Sequence, residues 1–204
     1  MYKNKTVIQI GSHVGDTIND PIFEKVDLST NLILIEPVEY LFNILKYNYN
    51  EKYKNNNFLF INKAVSNFIG KIEMTIPSQK NNFLELPFYA SQLSSINPYH
   101  VKLHLPNIIT EKIEVETTTL NNIVDEFKIK EIELLHIDTE GHDYEILMNY
   151  NFKIKPKTII FEHKHSDGFL KNGIRLKTIL NRLYSINYKL TYKNEEDITM
   201  VLIE

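Results

Sequence analysis

The residues best suited to chemistry are His136, Asp138, Glu140, His142 and Asp143, joined later in the chain by Glu162, His163 and His165. Carboxylates and imidazoles at this density bind a cation, abstract a proton or clamp a polar substrate. Asp138 and Asp143 also suit the plainer task of capping a following helix. A second group stands near the N-terminus, where Gly11-Ser12-His13-Val14-Gly15 ends one apolar run and Glu36-Pro37 ends the next. Glycine permits a tight turn and close approach to backbone, and an acidic side chain one strand over can accept hydrogen bonds from both hydroxyls of a ribose. The Gly-x-x-x-Gly spacing lacks the middle glycine that admits a pyrophosphate, and His13 is bulky, which argues against a nicotinamide dinucleotide. Lys63-Ala64-Val65-Ser66, after a third run, offers small side chains beside which an adenine could lie.

These groups share one placement: each directly follows a short apolar run. Val7–Ile10, Leu32–Ile35, Phe58–Ile61, Glu133–Ile137 and Thr158–Phe161 are too short for helices and rich in β-branched residues, as strands covered on both faces are. A helix is expected behind the glycine turn at Gly15. Others are expected at Val38–Tyr49, Thr119–Phe127, Asp143–Tyr150 and Leu170–Tyr184 from their apolar spacing. The alternation predicts an α/β fold, a mostly parallel, doubly wound sheet closed by an antiparallel pair at Tyr188–Tyr192 and Ile198–Ile203. In such sheets ligands sit beyond the carboxyl ends of the strands. Lys71–Ile76 and Glu114–Thr117 read as extra short strands. The Pro-interrupted stretch at 77–112 reads as a lid or substrate insert, with Ser94 and Ser95 within it.

The chain has 204 residues, 43% hydrophobic and 24% charged, which suits one domain at 1–204. Twenty-six Asp and Glu against 23 Lys and Arg leave a net charge of −3, so no basic field is present to hold a nucleic acid. There is no cysteine, hence no disulfide, thiolate metal site or cysteine nucleophile. No apolar run approaches the ~20 residues that span a bilayer, so no membrane partner is expected and a cytoplasmic protein is.

The run Val7–Gly15, Asn19-Asp20-Pro21, Ile35-Glu36-Pro37, the block Leu134–Leu147 and Phe161-Glu162-His163 together resemble the FkbM family of S-adenosylmethionine-dependent methyltransferases. The block carries the most specific match, Ile137-Asp138-Thr139-Glu140-Gly141-His142-Asp143-Tyr144-Glu145. The resemblance implies a Rossmann-like class I methyltransferase domain, S-adenosylmethionine over the first three strand ends, and transfer to a hydroxyl of a sugar, glycan or small natural product. It implies cofactor contacts at Gly11, His13, Gly15, Asp16, Glu36, Pro37, Ala64 and Val65. Catalytic roles fall to Asp138, Glu140 and His163, with His163 or Asp138 as the base, and acceptor contacts to Asn19, Asp20, Ser94, Ser95, His142 and Glu162. The chain departs from the family at Ser12-His13, where Ala-Asn is usual, and at His142. No recognised metal motif is present and no metal ligand is assigned. Two other readings stay open: a metal-dependent hydrolase or transferase using Asp138, Glu140, Glu162 and His163, and a cofactor-binding relative without turnover. The oligomeric state does not follow from the sequence.

Overall fold

The structure, a computed structural model, describes residues 6–17, 20–25, 30–54 and 58–203. Strands β1 (Thr6–Ile10) and β2 (Asn31–Ile35) lead into helix α1 (Glu39–Lys52), followed by β3 (Phe58–Ile61), β4 (Ala64–Val65) and β5 (Gly70–Pro77). An insert with two short 3-10 turns and helix α2 (His100–His104) precedes β6 (Thr110–Thr118) and α3 (Leu120–Glu126). Then come β7 (Leu134–Ile137), α4 (Asp143–Asn149), β8 (Thr158–Glu162), α5 (Ile174–Ser185), β9 (Tyr188–Lys193) and β10 (Asp197–Leu202).

The main sheet has the order β3-β2-β1-β7-β8-β10-β9. Its first five strands are parallel, while β10 pairs antiparallel with both β8 and β9. Strand order reverses between β1 and β7, so the carboxyl ends of those two open the crevice in which ligands bind. Side-chain alternation assigns the two faces. Ile8, Ile10, Ile33, Ile35, Leu135 and Ile137 pack with residues of α3, α4 and α5 in one core. Val7, Leu32, Leu34 and Leu134 point the other way, onto Leu45 and Tyr49 of α1. The sheet is therefore wound on both faces, as the apolar runs predict.

Two expectations shift. Behind Gly15 the described residues at 11–17 and 20–25 form turns and bends rather than a helix, and Asp20 organises them by accepting the N–H groups of Ile22 and Phe23. Helix α5 begins at Ile174 rather than Leu170, because Leu170 has φ 49 and the Asp167 carboxylate caps the helix by accepting the N–H groups of Gly173, Arg175 and Leu176.

A smaller sheet, β4-β6-β5, lies beside the main one. The β5–β6 ladder pairs Gly70 with Thr117 through to Pro77 with Thr110, so the insert runs over 78–109, shorter than the 77–112 expected. β6 is the central strand of this sheet, parallel to β4 and antiparallel to β5. The insert has a small core of its own, in which Ala90, Leu93, Val101 and Ile108 are buried with Tyr89 and Leu105 against them. It is fastened inward by a Thr75–Ser95 backbone bridge.

Candidate active site

One cavity of about 660 Å³ opens at the carboxyl ends of β1, β2, β7 and β8, within the ~300–1,000 Å³ usual for small-molecule sites. At the β1–β2 end the wall is Gly11, Ser12, His13, Glu36 and Pro37, with Ile35, Ala64 and Val65 beside them. Gly11 has φ +81, and a Cβ there would lie 1.7 Å from the carbonyl oxygen of Asp138, so only glycine lets β1 turn against β7. The N–H groups of Gly11 and Ser12 both donate to Ile35 O at 3.0 Å, and His13 N donates to Glu36 Oε2 at 2.9 Å. The first three N–H groups of the turn are therefore taken up within the protein, and the turn presents a carboxylate beside them. Glu36 also accepts Val38 N–H at 2.8 Å and is buried, which pushes its pKa up to about 7 against the opposing pull of those two hydrogen bonds.

Gly15 does not reach this wall. At φ +77 its missing Cβ makes room for Tyr49 and Leu45 of α1, 2.6 and 2.9 Å from where that carbon would stand, so its glycine serves helix packing. Asp16 also lies off the cavity wall. Asn19 falls outside the described residues, while Asp20 lines the cavity and accepts Gln9 Nε2 at 2.6 Å.

The β7–β8 end is acidic. Asp138, Glu140 and Glu162 bring carboxylate oxygens within 4.8 Å of one another, and all three line the cavity, as do His136 and His142. Asp138 is exposed to the cavity at the foot of a site walled by protein, and desolvation by those walls, with the charges of Glu140, Asp143 and Asp197, raises its pKa well above the usual aspartate value. Glu162 is raised by burial and by Glu140 and Asp138. Glu140 is opposite in sense: burial pushes it up, but the 2.8 Å contact from His100 Nε2 and the charge of Lys164 outweigh that and lower its pKa. Its φ of 52 is a left-handed conformation that costs a non-glycine residue about 1–2 kcal/mol. Lys164 is the local counter-charge, 3.1 Å from Glu162 and 2.9 Å from Glu196. Asp143 braces rather than reacts, accepting Thr139 N and Oγ1 and Glu162 N–H behind the cavity.

His163 is the main correction. It is buried away from the cavity, its Nε2 donating to Asn194 O at 3.0 Å and its Nδ1 accepting from Asn172 Nδ2 at 3.0 Å. With both nitrogens engaged it holds β8 to the β9–β10 turn and does not face the cavity. Ser94 lines the cavity with its buried Oγ unpartnered. Ser95 instead turns inward, donating to Glu140 O at 2.9 Å. His13 reaches the insert through Ser91 O at 3.2 Å, so first loop and insert close one wall together.

Residues that the sequence reading passed over are Gln9, Phe88, Tyr89, Gln92, Leu93, His104, Lys164 and Tyr192, all on the cavity wall. Most come from the insert or the closing hairpin, which follow no strand end. The one available signal was His100-x-x-x-His104, two imidazoles at helical spacing.

Comparison with known proteins agrees with this architecture. A search of the curated proteins finds no match. Among solved structures, the methyltransferase FkbM of Methylobacillus flagellatus KT superposes with a TM-score of 0.59 at 12% identity, over 98% of this chain. This chain spans 44% of that protein. A fibrillarin/Nop5p complex (TM-score 0.46, 13% identity, 97% of this chain and 71% of that one) and M. capricolum TrmK with S-adenosylhomocysteine (0.42, 14%, 97% and 60%) are more distant. The profile of the methyltransferase FkbM domain matches residues 9–190, from the last turns of β1 to β9 and so through both ends of the cavity; the chain belongs to the FkbM methyltransferase family.

Proposed function

We propose that this chain binds S-adenosylmethionine at the β1–β2 end of the cavity and methylates a hydroxyl oxygen of a sugar, glycan or small natural product at the β7–β8 end, in the cytoplasm. The observation that carries the reading is that one cavity holds both the buried Glu36 beside the Gly11 turn and the Asp138–Glu140–Glu162 group. The residues fit that cofactor. A turn whose Gly11, Ser12 and His13 N–H groups are taken up and which presents a carboxylate suits a ribose, and Ile35, Ala64 and Val65 supply an apolar bed for a base.

When bound, S-adenosylmethionine supplies an electrophilic methyl group on a cationic sulfur. The chain then has to orient the acceptor oxygen and take its proton. Asp138 is placed for the proton: it faces the cavity, and its raised pKa makes it a stronger base than an ordinary carboxylate. Glu140 and Glu162 accept hydrogen bonds from neighbouring hydroxyls of a polyol. Phe88, Tyr89 and Tyr192 offer faces for the apolar side of a sugar ring. The same acidic floor repels a phosphodiester, which favours an uncharged acceptor over nucleic acid. The insert, with Leu93 and Ile96 on the wall, limits water at this end. No helix among the described residues is long and apolar enough to cross a membrane.

Calorimetric titration with S-adenosylmethionine tests the reading. Saturable one-to-one binding that is weakened in Glu36→Ala and kept in Asp138→Asn supports it; absence of binding to the wild-type protein refutes it.

A further inference from the structure

Where the insert meets the sheet, three imidazoles and a carboxylate converge. His100, His104, Glu140 and His165 each bring one ligand-type atom within 4.8 Å of the others. The rings crowd together, with centroids 4.7 Å apart for the tilted His100–His104 pair and 4.6 and 5.2 Å for the edge-to-face pairs His100–His165 and His104–His165. A histidine cluster held by packing alone would have its ring nitrogens partnered. Here the Nε2 atoms of His104 and His165 are both buried without a hydrogen bond, beside the Glu140 carboxylate.

We propose that His100, His104 and Glu140 bind a divalent transition metal ion of the zinc or manganese type. Two imidazoles one helical turn apart on α2 and one carboxylate from the β7 loop make a two-nitrogen, one-oxygen set. That set leaves coordination positions open and is poorly matched to Mg²⁺ or Ca²⁺, which favour all-oxygen shells. His165 has a different part. Its Nδ1 accepts the Leu170 N–H at 3.1 Å, which puts the proton on Nε2; that N–H lies 3.7 Å from Glu140 Oε2, beyond hydrogen-bond distance, and faces the carboxylate from outside the ligand set as a polar neighbour. Glu140 is further fixed through its own carbonyl, which accepts from Ser95 Oγ of the insert.

An ion at this point ties the insert to the end of β7, since two ligands come from α2 and one from the loop after the strand. His104 and Glu140 also line the cavity, so the open positions face the compartment shared with Asp138 and Glu162, where the ion would hold an acceptor oxygen. The binding site follows from the side chains themselves. Only its orientation toward an acceptor rests on the methyltransferase reading.

The test uses the full chain, stripped with a chelator and dialysed, then loaded with Zn²⁺ or Mn²⁺, with Mg²⁺ as the control. Elemental analysis should find one transition metal ion per chain and no retained Mg²⁺. Loss of even an outer partner of a metal ligand commonly costs roughly 10–100-fold in affinity, so loss of a ligand in His104→Gln should cost at least that, and His165→Gln less. Should His104→Gln fail to fold, Co²⁺ added to the wild-type protein decides by itself, since low-coordinate binding by imidazole gives a visible absorption far stronger than that of hydrated Co²⁺ and shifted to longer wavelength. No retained ion, no cobalt spectrum, or unchanged affinity in folded His104→Gln overturns the proposal. Titration of S-adenosylmethionine into the stripped protein separates the two readings: failure of that binding with the metal retained refutes the methyltransferase assignment and leaves the metal site standing.

Discussion

The two ends of the cavity are built on opposite principles. At the β1–β2 end the backbone turn and its carboxylate satisfy each other: Ile35 O takes two N–H groups and Glu36 takes two more, and the buried atoms left without partners, Gln9 Oε1 and His13 Nδ1, are not carboxylates. At the β7–β8 end carboxylates crowd one another, and Glu162 Oε2, His165 Nε2 and His136 Nδ1 remain buried without partners. A saturated wall is rigid and suits binding, whereas groups kept short of partners retain proton affinity and suit reaction.

If that contrast is right, damage at the two ends should have different signatures. The largest effect is expected for Asp138→Asn, a fall in kcat of roughly 100- to 10,000-fold with the dissociation constant for S-adenosylmethionine unchanged, as expected for loss of a general base. Equal loss of cofactor affinity would erase the distinction between the ends. Gly11→Ala should destabilise the fold by roughly 2–5 kcal/mol, because it combines a left-handed residue with a Cβ driven into the Asp138 carbonyl; denaturant melts measure it.

Glu36→Ala should weaken S-adenosylmethionine binding by about 1.5–3 kcal/mol with little change in kcat at saturation, which titration and steady-state kinetics report separately. The same residue predicts a pH dependence. Ribose hydroxyls favour the ionised carboxylate, so binding releases a proton and affinity rises with pH until it flattens above the pKa of about 7. A flat profile in the wild-type protein, or an unchanged slope in Glu36→Gln, would remove Glu36 from the ribose.

The raised carboxyls lend the unliganded fold stability that is complete below their unfolded pKa and lost as pH rises through about 7, and Asp143 joins Glu36 in this. His13, His136 and His165, each lowered by burial to about 4, act in the opposite direction, lending stability that is lost as pH falls toward that value. The two sets offset between, so cofactor affinity is the cleaner readout. The smallest kinetic effect is expected for His163→Ala. Loss of its two hydrogen bonds should lower stability by about 1–3 kcal/mol while kcat at saturation stays within a few-fold, since the ring does not face the cavity.

The parallel strands were legible because residues buried on both sheet faces leave continuous β-branched runs, and the binding end was legible because each of its groups follows such a run. His163 misled for the same reason: it follows β8 as Asp138 follows β7, but Asn172 and Asn194, distant in sequence, claim its two nitrogens. Gly15 misled because a glycine that admits a ligand and one that admits Tyr49 of a neighbouring helix look alike in a sequence. The insert was recognisable as irregular, but its small core around Ala90 and Val101, and helix α2 within it, had too few apolar positions to show a period.

By itself, then, the sequence determined the order of strands and helices, the chemistry at each strand end and the family, since all three depend on residue types at short spacing. The tertiary structure alone decided which of those groups meet. Side-chain direction and long-range partners turned His163 into a strut, carried His104 and Tyr192 onto the cavity wall, and set His100 against Glu140, because hydrogen-bond competition and burial act between residues that the chain keeps far apart.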